Sequence, residues 1–259
     1  MHDPPPGALD DLDDDPGPSP LVRTLRPVLI TAVLAVLVLG GFALASHLFG
    51  DTRTETGELD LEGSGLLRLQ AGPSDVRIVQ GDVTVPRYVA RVRSGLFDTH
   101  FEVERVGGAT RLEAACRPLL SPGCGVDVTI TVPEGTAVVL LTGAGDVDLS
   151  GLQGAVAVRT GSGDVEAEGL RTQDLTVRTG SGDVEATFDR APFAVKVATG
   201  SGDVDLGLPQ ARTPYAVDAR SESGEVDDTI PATDAQDARV VRVRTQSGDV
   251  EVELELDGS

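Results

Sequence analysis

Histidine is scarce in this chain of 259 residues, occurring only as His2, His47 and His100. No HExxH pair, P-loop or nucleophile-elbow motif occurs, so the common hydrolytic and phosphoryl-transfer inventories are missing. An enzyme is not expected, and no cofactor is implied. Cysteine is nearly as rare, with Cys116 and Cys124 alone, and a zinc site would need more Cys or His than His100 can add. Aromatic residues make up 3%, so small branched side chains must fill a thin core. Beyond residue 50 no apolar stripe with a spacing of 3.6 appears, which excludes a helical domain. Positive charge is also in deficit: 21 Lys and Arg stand against 42 Asp and Glu. Such a chain repels nucleic acid and anionic headgroups, and attracts cations, cationic peptides or basic wall components. A charge excess of this kind is first of all a solubility device.

One long apolar run is present. Residues 28–49 (VLITAVLAVLVLGGFALASHLF) carry no charge near neutral pH. As a helix they would extend about 33 Å, enough for a bilayer core of about 30 Å. Arg23 and Arg26 precede the run and no positive excess follows it, so the N-terminus is expected in the cytoplasm. Ala43-Leu44-Ala45 has the form of a cleavage site and keeps a signal peptide open as the alternative, with release before Ser46. The 27-residue lead and the length of the run favour a retained anchor. Residues 1–27 then form a disordered acidic cytoplasmic tail, and residues 50–57 (GDTRTETG) a polar linker. The exported remainder holds 36 acidic and 19 basic residues, a net charge of −17. Cys116 and Cys124 lie in that part and bracket RPLLSPG; a bridge there would close a short loop and contribute roughly 2–3 kcal/mol.

A repeat dominates the second half. GAGDV begins at Gly143 and GSGDV at Gly161, Gly180 and Gly200, followed by SESGEV at Ser221 and TQSGDV at Thr245. The acids are Asp146, Asp164, Asp183, Asp203, Glu225 and Asp249, spaced by 18, 19, 20, 22 and 24 residues. A looser echo, GPSDV, begins at Gly72. Apolar residues alternate on both sides of each turn, as in Val156, Val158 and Val165 or Leu175, Val177 and Val184. Period two marks strands with one buried face, joined at a glycine corner. Two arrangements suit such units: a solenoid with one repeat per coil, or a meander of hairpins. Stacking like on like explains why Thr, Gly, Ser, acid and Val all recur in kind, and so favours the solenoid. The expected fold is all-β: a β-solenoid-like repeat over 142–259, with 58–141 as its N-terminal β part, preceded by one transmembrane helix. The charged terminal run EVELELD is expected to guard the open end of the stack.

The run VTITVPEGTAVVLLTGAGDVDLSGLQGAVAVRTGSGDVEAEGL resembles the bacterial "putative adhesin" family of cell-envelope β-solenoids. The resemblance covers roughly residues 60–256 and rests on a Pro-x-Gly entry followed by repeated SGDV turns. It implies an envelope-exposed β-domain, often on a membrane anchor, with roles suggested in adhesion or envelope-stress sensing. It brings no catalytic residues.

Paired acids such as Asp146/Asp148 or Asp203/Asp205 could mimic glycosidase carboxylates, but they recur at every corner and so read as part of the repeat. The calcium-binding nonapeptide pattern fits poorly, because the acid follows the second glycine directly and the period is about double. The six corner acids are expected to be structural, not metal ligands. Arg159, Arg178, Arg220 and Arg244 also recur, either as counter-charges for those acids or as a solvated face of ion pairs. The function expected is a membrane-anchored, extracytoplasmic module for cell-surface binding or envelope sensing. Its expected partners are wall material, cationic peptides or an envelope membrane protein. The alternative is an accessory subunit of an envelope-stress membrane complex.

Overall fold

Alternating valines bounded by glycine corners give strands wherever the pattern is strong. The computed structural model describes residues 33, 34, 36, 40, 51–61, 65–94, 99–115 and 124–255. Its first strands are β1 (Asp51–Glu58), β2 (Leu66–Pro73), β3 (Asp75–Gln80) and β4 (Arg87–Ser94). Next come β5 (His100–Val106), β6 (Ala109–Ala115), β7 (Gly125–Val132), β8 (Ala137–Ala144) and β9 (Val147–Ser150). The repeats supply β10 (Val156–Thr160), β11 (Val165–Leu170), β12 (Asp174–Thr179), β13 (Val184–Phe188), β14 (Ala194–Ser201) and β15 (Val204–Pro209). The chain ends on β16 (Tyr215–Ser223), β17 (Val226–Asp228), β18 (Arg239–Ser247) and β19 (Val250–Glu255).

These strands form two sheets. Sheet A runs β1-β4-β7-β3-β9-β11-β13-β15-β19-β17, and sheet B runs β16-β18-β14-β12-β10-β8-β2-β6-β5. Each repeat places one strand in sheet B, turns its glycine corner, and places the next in sheet A. Pairing between repeats is parallel and in register: Val156, Val158 and Thr160 lie opposite Leu175, Val177 and Thr179. That pairing selects the solenoid over the meander. The core lies between the sheets as ladders of like residues. Leu67, Val138, Val156, Leu175, Val195 and Val241 make one ladder, each at most 2% exposed. Fully burying such a side chain contributes roughly 1.5–3 kcal/mol, so long thin ladders can replace a wide core.

The structure differs from the sequence reading in three places. Residues 50–57, expected to be a linker, lie almost entirely within β1, which pairs antiparallel with β4 from Asp51↔Ser94 to Glu58↔Arg87. An edge strand held by backbone hydrogen bonds needs no apolar face, so the alternation that reveals buried strands is absent from it. The second difference is rung order. β18/β19 inserts between β14/β15 and β16/β17, so the coil written last in the sequence is not the last in the stack. Two observations account for this. Asp228 of β17 falls in the core row, opposite Val252, and an acid there is tolerated only on an end rung open to water. Arg239, opening β18, donates to the carbonyls of Ala191 and Pro192 at 3.0 and 2.9 Å and lies 4.6 Å over the Phe193 ring, which ties β18 to the coil of β14. Consequently EVELELD does not guard the open end. That edge is β17, three exposed residues long and carrying Asp227 and Asp228. Shortness and charge both discourage edge-to-edge pairing. Thirdly, β2/β3 sits between β6/β7 and β8/β9, so chain order is broken at the other end too.

Candidate functional site

The corner is built from Thr, two glycines and an acid. The threonine ends the sheet B strand facing inward, and its hydroxyl donates to the backbone two residues on: Thr160 to Ser162 O at 2.8 Å, Thr179 to Ser181 O at 2.9 Å, Thr199 to Ser201 O at 3.1 Å. A buried hydroxyl is thereby satisfied while the chain turns. The second glycine has a positive φ, +127° at Gly182, and a Cβ there would stand 2.2 Å from the carbonyl oxygen of Gly163 one rung below.

The corner acids are joined from rung to rung. Asp146 N–H donates to Asp75 Oδ1 at 3.1 Å, Asp164 N–H to Asp146 at 3.0 Å, and Asp183 N–H to Asp164 at 2.8 Å. Asp203 N–H donates to Asp183 at 2.8 Å, Asp249 N–H to Asp203 at 2.7 Å, and Glu225 N–H to Asp249 at 2.7 Å. One oxygen of each inner carboxylate is thus committed to a free N–H, and the rest of the group reaches water. Among the described residues, no group of three or more His, Cys, Asp or Glu is placed to hold a metal ion. Asp75 belongs to the ladder as its first rung, and the GPSDV echo at Gly72 was its signal.

Beyond the corner, the same repeat sorts charge by face. In sheet B the residue before the threonine points outward, placing Arg159 opposite Arg178 and Arg244 opposite Arg220. Two positions earlier in the same sheet, Lys196 lies opposite Arg242. In sheet A the residue after the first valine points outward. This aligns Asp148, Glu166, Glu185, Asp205, Glu251 and Asp227 as an unbroken row of carboxylates. Arg77 alone opposes that row from within it, donating to Asp148 at 2.8 Å. That hydrogen bond and the Asp148 charge hold the Arg77 guanidinium above its ordinary pKa. Glu166 is held above the usual carboxylate range, chiefly by the negative charge of Glu168, then by partial desolvation and by Asp148.

Among the described residues no ion pair joins a recurring arginine to a corner acid, nor to the sheet A row. Strand and counter-strand face away from each other across the core, so an outward side chain of sheet B cannot reach an outward side chain of sheet A. Arg220 and Arg244 share Asp218 on their own sheet, at 2.7 and 3.7 Å. Arg159, Arg178, Lys196 and Arg242 make no ion pair with any described residue. Beside the two arginines runs a shallow groove of about 850 Å³, floored by Gly161, Gly180 and Gly200 and reaching Leu141. A smaller hollow of about 400 Å³ includes His100, Arg111 and Glu113 in its lining. His100 is exposed and lies 3.0 Å from Glu102.

Cys124 immediately precedes β7, and Cys116 lies outside the described residues, as does most of 28–49 and all of 1–27. Of the apolar run, Val33, Leu34, Val36 and Gly40 are helical and exposed; among the described residues no helix is long and apolar enough to cross a membrane.

Residues 123–253, half of the chain, match the family described as Toastrack DUF4097. Two solved structures are similar in fold. One is a "putative cell adhesion protein" from Clostridium sporogenes, 13% identical over 79% of this chain and 100% of that one, with a TM-score of 0.46. The other is a "putative adhesin" from Bacteroides fragilis, 14% identical over 78% of this chain and 97% of that one, with a TM-score of 0.47. No curated protein matches the chain.

Proposed function

Because this chain belongs to the Toastrack DUF4097 family, we propose that it is a cell-surface binding module working through the outer faces of its solenoid. The observation that carries this reading is the separation of charge. Sheet B presents Arg159 and Arg178, which pair with no described acid, beside a groove, while sheet A presents a continuous carboxylate row. The carboxylate recurs on every rung of sheet A from β9 to β17. In sheet B, β10, β12, β14, β18 and β16 each carry a basic residue at one of two outward positions, so many weak contacts form along one extended ligand. A reaction site instead needs a unique convergence of groups. Binding, not catalysis, is the activity this pattern supports.

Residues 28–49 serve as the anchor in this proposal, with residues 50–259 outside the cytoplasm. External protease on intact cells should remove the domain, and full protection would reverse the orientation. Binding is tested with the full-length protein in mild detergent, offered to purified cell-wall material and to solubilised envelope proteins. Arg159→Glu with Arg178→Glu, or Glu166→Arg with Glu185→Arg, should lower retention at least tenfold for one face. Equal retention of both double variants and the wild type would overturn the role of the faces.

A further inference from the structure

We infer that the occupant of the sheet B face is the sheet A face of a second copy of this chain. The inference rests on the face-binding reading above and adds the identity of one partner. Over the repeats both faces are parallel sheets whose rungs repeat at about 4.8 Å. The two surfaces therefore share one period, and a single correct pair brings its neighbours into register. Arg159, Arg178, Lys196 and Arg242 form no ion pair with any described residue, while Glu166, Glu185 and Asp205 stand in a row of like charge. Docking one face on the other gives Arg159, Arg178 and the carboxylate row an opposite charge to face; Arg242 already has Asp218 opposite it on β16.

The chain's net charge of −21 opposes this only at long range. At physiological ionic strength the screening length is about 8 Å. Charges in contact across the faces are screened least, and those on the far side of each domain are largely silenced. The groove lined by Gly161 and Gly180 runs along the corner edge of this face, beside the two arginines.

The size of the contact sets its strength. Seven consecutive coils of the stack, from β2/β3 to β16/β17, each contribute a strand to both sheets. At about 4.8 Å per rung and about 16 Å per five-residue strand, each face offers roughly 550 Å². Two such faces bury about 1,100 Å², the low end for specific association. The contact is weak and reversible in solution, and gains when many copies are tethered to one surface. It joins different faces, so it is heterologous: growth continues beyond a dimer.

Sedimentation velocity of the full-length protein in mild detergent tests this, from 1 to 500 µM at 50 and 500 mM NaCl. At low salt the average mass should rise with concentration, and at high salt it should return to the monomer. Arg159→Glu with Arg178→Glu, and separately Glu166→Arg with Glu185→Arg, should each weaken association at least tenfold. Mixing the two variants should restore it, because each then carries a face complementary to the other's altered one. All four positions are exposed; should a charge reversal fail to fold, the Gln variants at the same sites take its place, with loss of association but no rescue expected. A wild type that is monomeric throughout, variants that associate normally, or a mixture that stays monomeric would each overturn the inference. Wall binding by a strictly monomeric protein would overturn it alone and leave the face-binding reading intact. Association that survives high salt would point to a contact elsewhere and also refute it.

Discussion

Replacing Gly182 by alanine should be among the most destabilising single-methyl changes available to this fold. The residue adopts φ +127°, and an added Cβ would lie 2.2 Å from Gly163 O and 2.6 Å from Gly163 C. These are backbone atoms of the neighbouring rung's corner, held on either side by β10 and β11, so they cannot swing aside as a flexible side chain would. A non-glycine residue in such a region costs about 1–3 kcal/mol in local strain. Forcing a methyl into a packed site adds about 1–3 kcal/mol more. The total, about 2–6 kcal/mol, is a large part of the 5–15 kcal/mol typical of a folded domain. Gly169 provides the control. It also has positive φ, +56°, but the nearest atom to its Cβ is Asp189 Oδ1 at 3.5 Å, an ordinary contact. Gly169→Ala should therefore cost only the left-handed backbone term, about 1–2 kcal/mol. Urea unfolding of the full chain in mild detergent, followed by far-UV circular dichroism, measures both. Equal midpoint shifts would refute the argument that rung-to-rung contact, and not φ alone, reserves the corner for glycine.

The inward and outward alternation is tested at neighbouring residues: Val184, 1% exposed, should lose several kcal/mol on replacement by Asp. Glu185→Lys, outward between Glu166 and Asp205, should change stability by under about 0.5 kcal/mol; equal tolerance in a thermal melt would mean the faces are assigned wrongly. The raised pKa of Glu166 means that the folded state binds its proton more readily than the unfolded state does. The carboxylate row therefore opposes folding above that pKa, and the opposition is relieved as pH falls through it. Glu166→Gln should melt higher than the wild type at pH 7 and alike at pH 3; a lower melting point at pH 7 would contradict this sign. Cys116 and Cys124 are proposed to pair, and unreduced peptide mapping should recover them as one linked peptide, against which two free thiols would count.

The repeat made much of the fold legible. Valines at period two, interrupted by GSGD, determine strand, corner and strand, because only one face of each strand can be apolar and only glycine fits the turn. The inward threonines and the outward acids follow from the same alternation. The burial of Val177 and Val184 on the two sides of one corner was therefore readable directly, as was the exposure of Glu185. β1 was hidden because an edge strand with no core face leaves no apolar pattern. The separation of charge was half visible. Arginine precedes four of the six corners, as Arg159, Arg178, Arg220 and Arg244, and an acid follows each, but which of them meet depends on the two sheets facing away from each other.

Rung order was decided in three dimensions alone. The spacings of 22 and 24 residues between Asp203, Glu225 and Asp249 are compatible with either order of the last two coils. A chain can step over one rung as easily as climb to the next, since each rung offers the same hydrogen bonds. What selects the order is the match of each coil to its place. Val250 and Val252 fit an interior rung, whereas Asp228 needs an end open to water. Arg239 finds the Ala191 and Pro192 carbonyls only when β18 lies against β14. The sequence by itself determined what one rung is; long-range pairing determined which rung lies next to which, because identical ladders carry no address of their own.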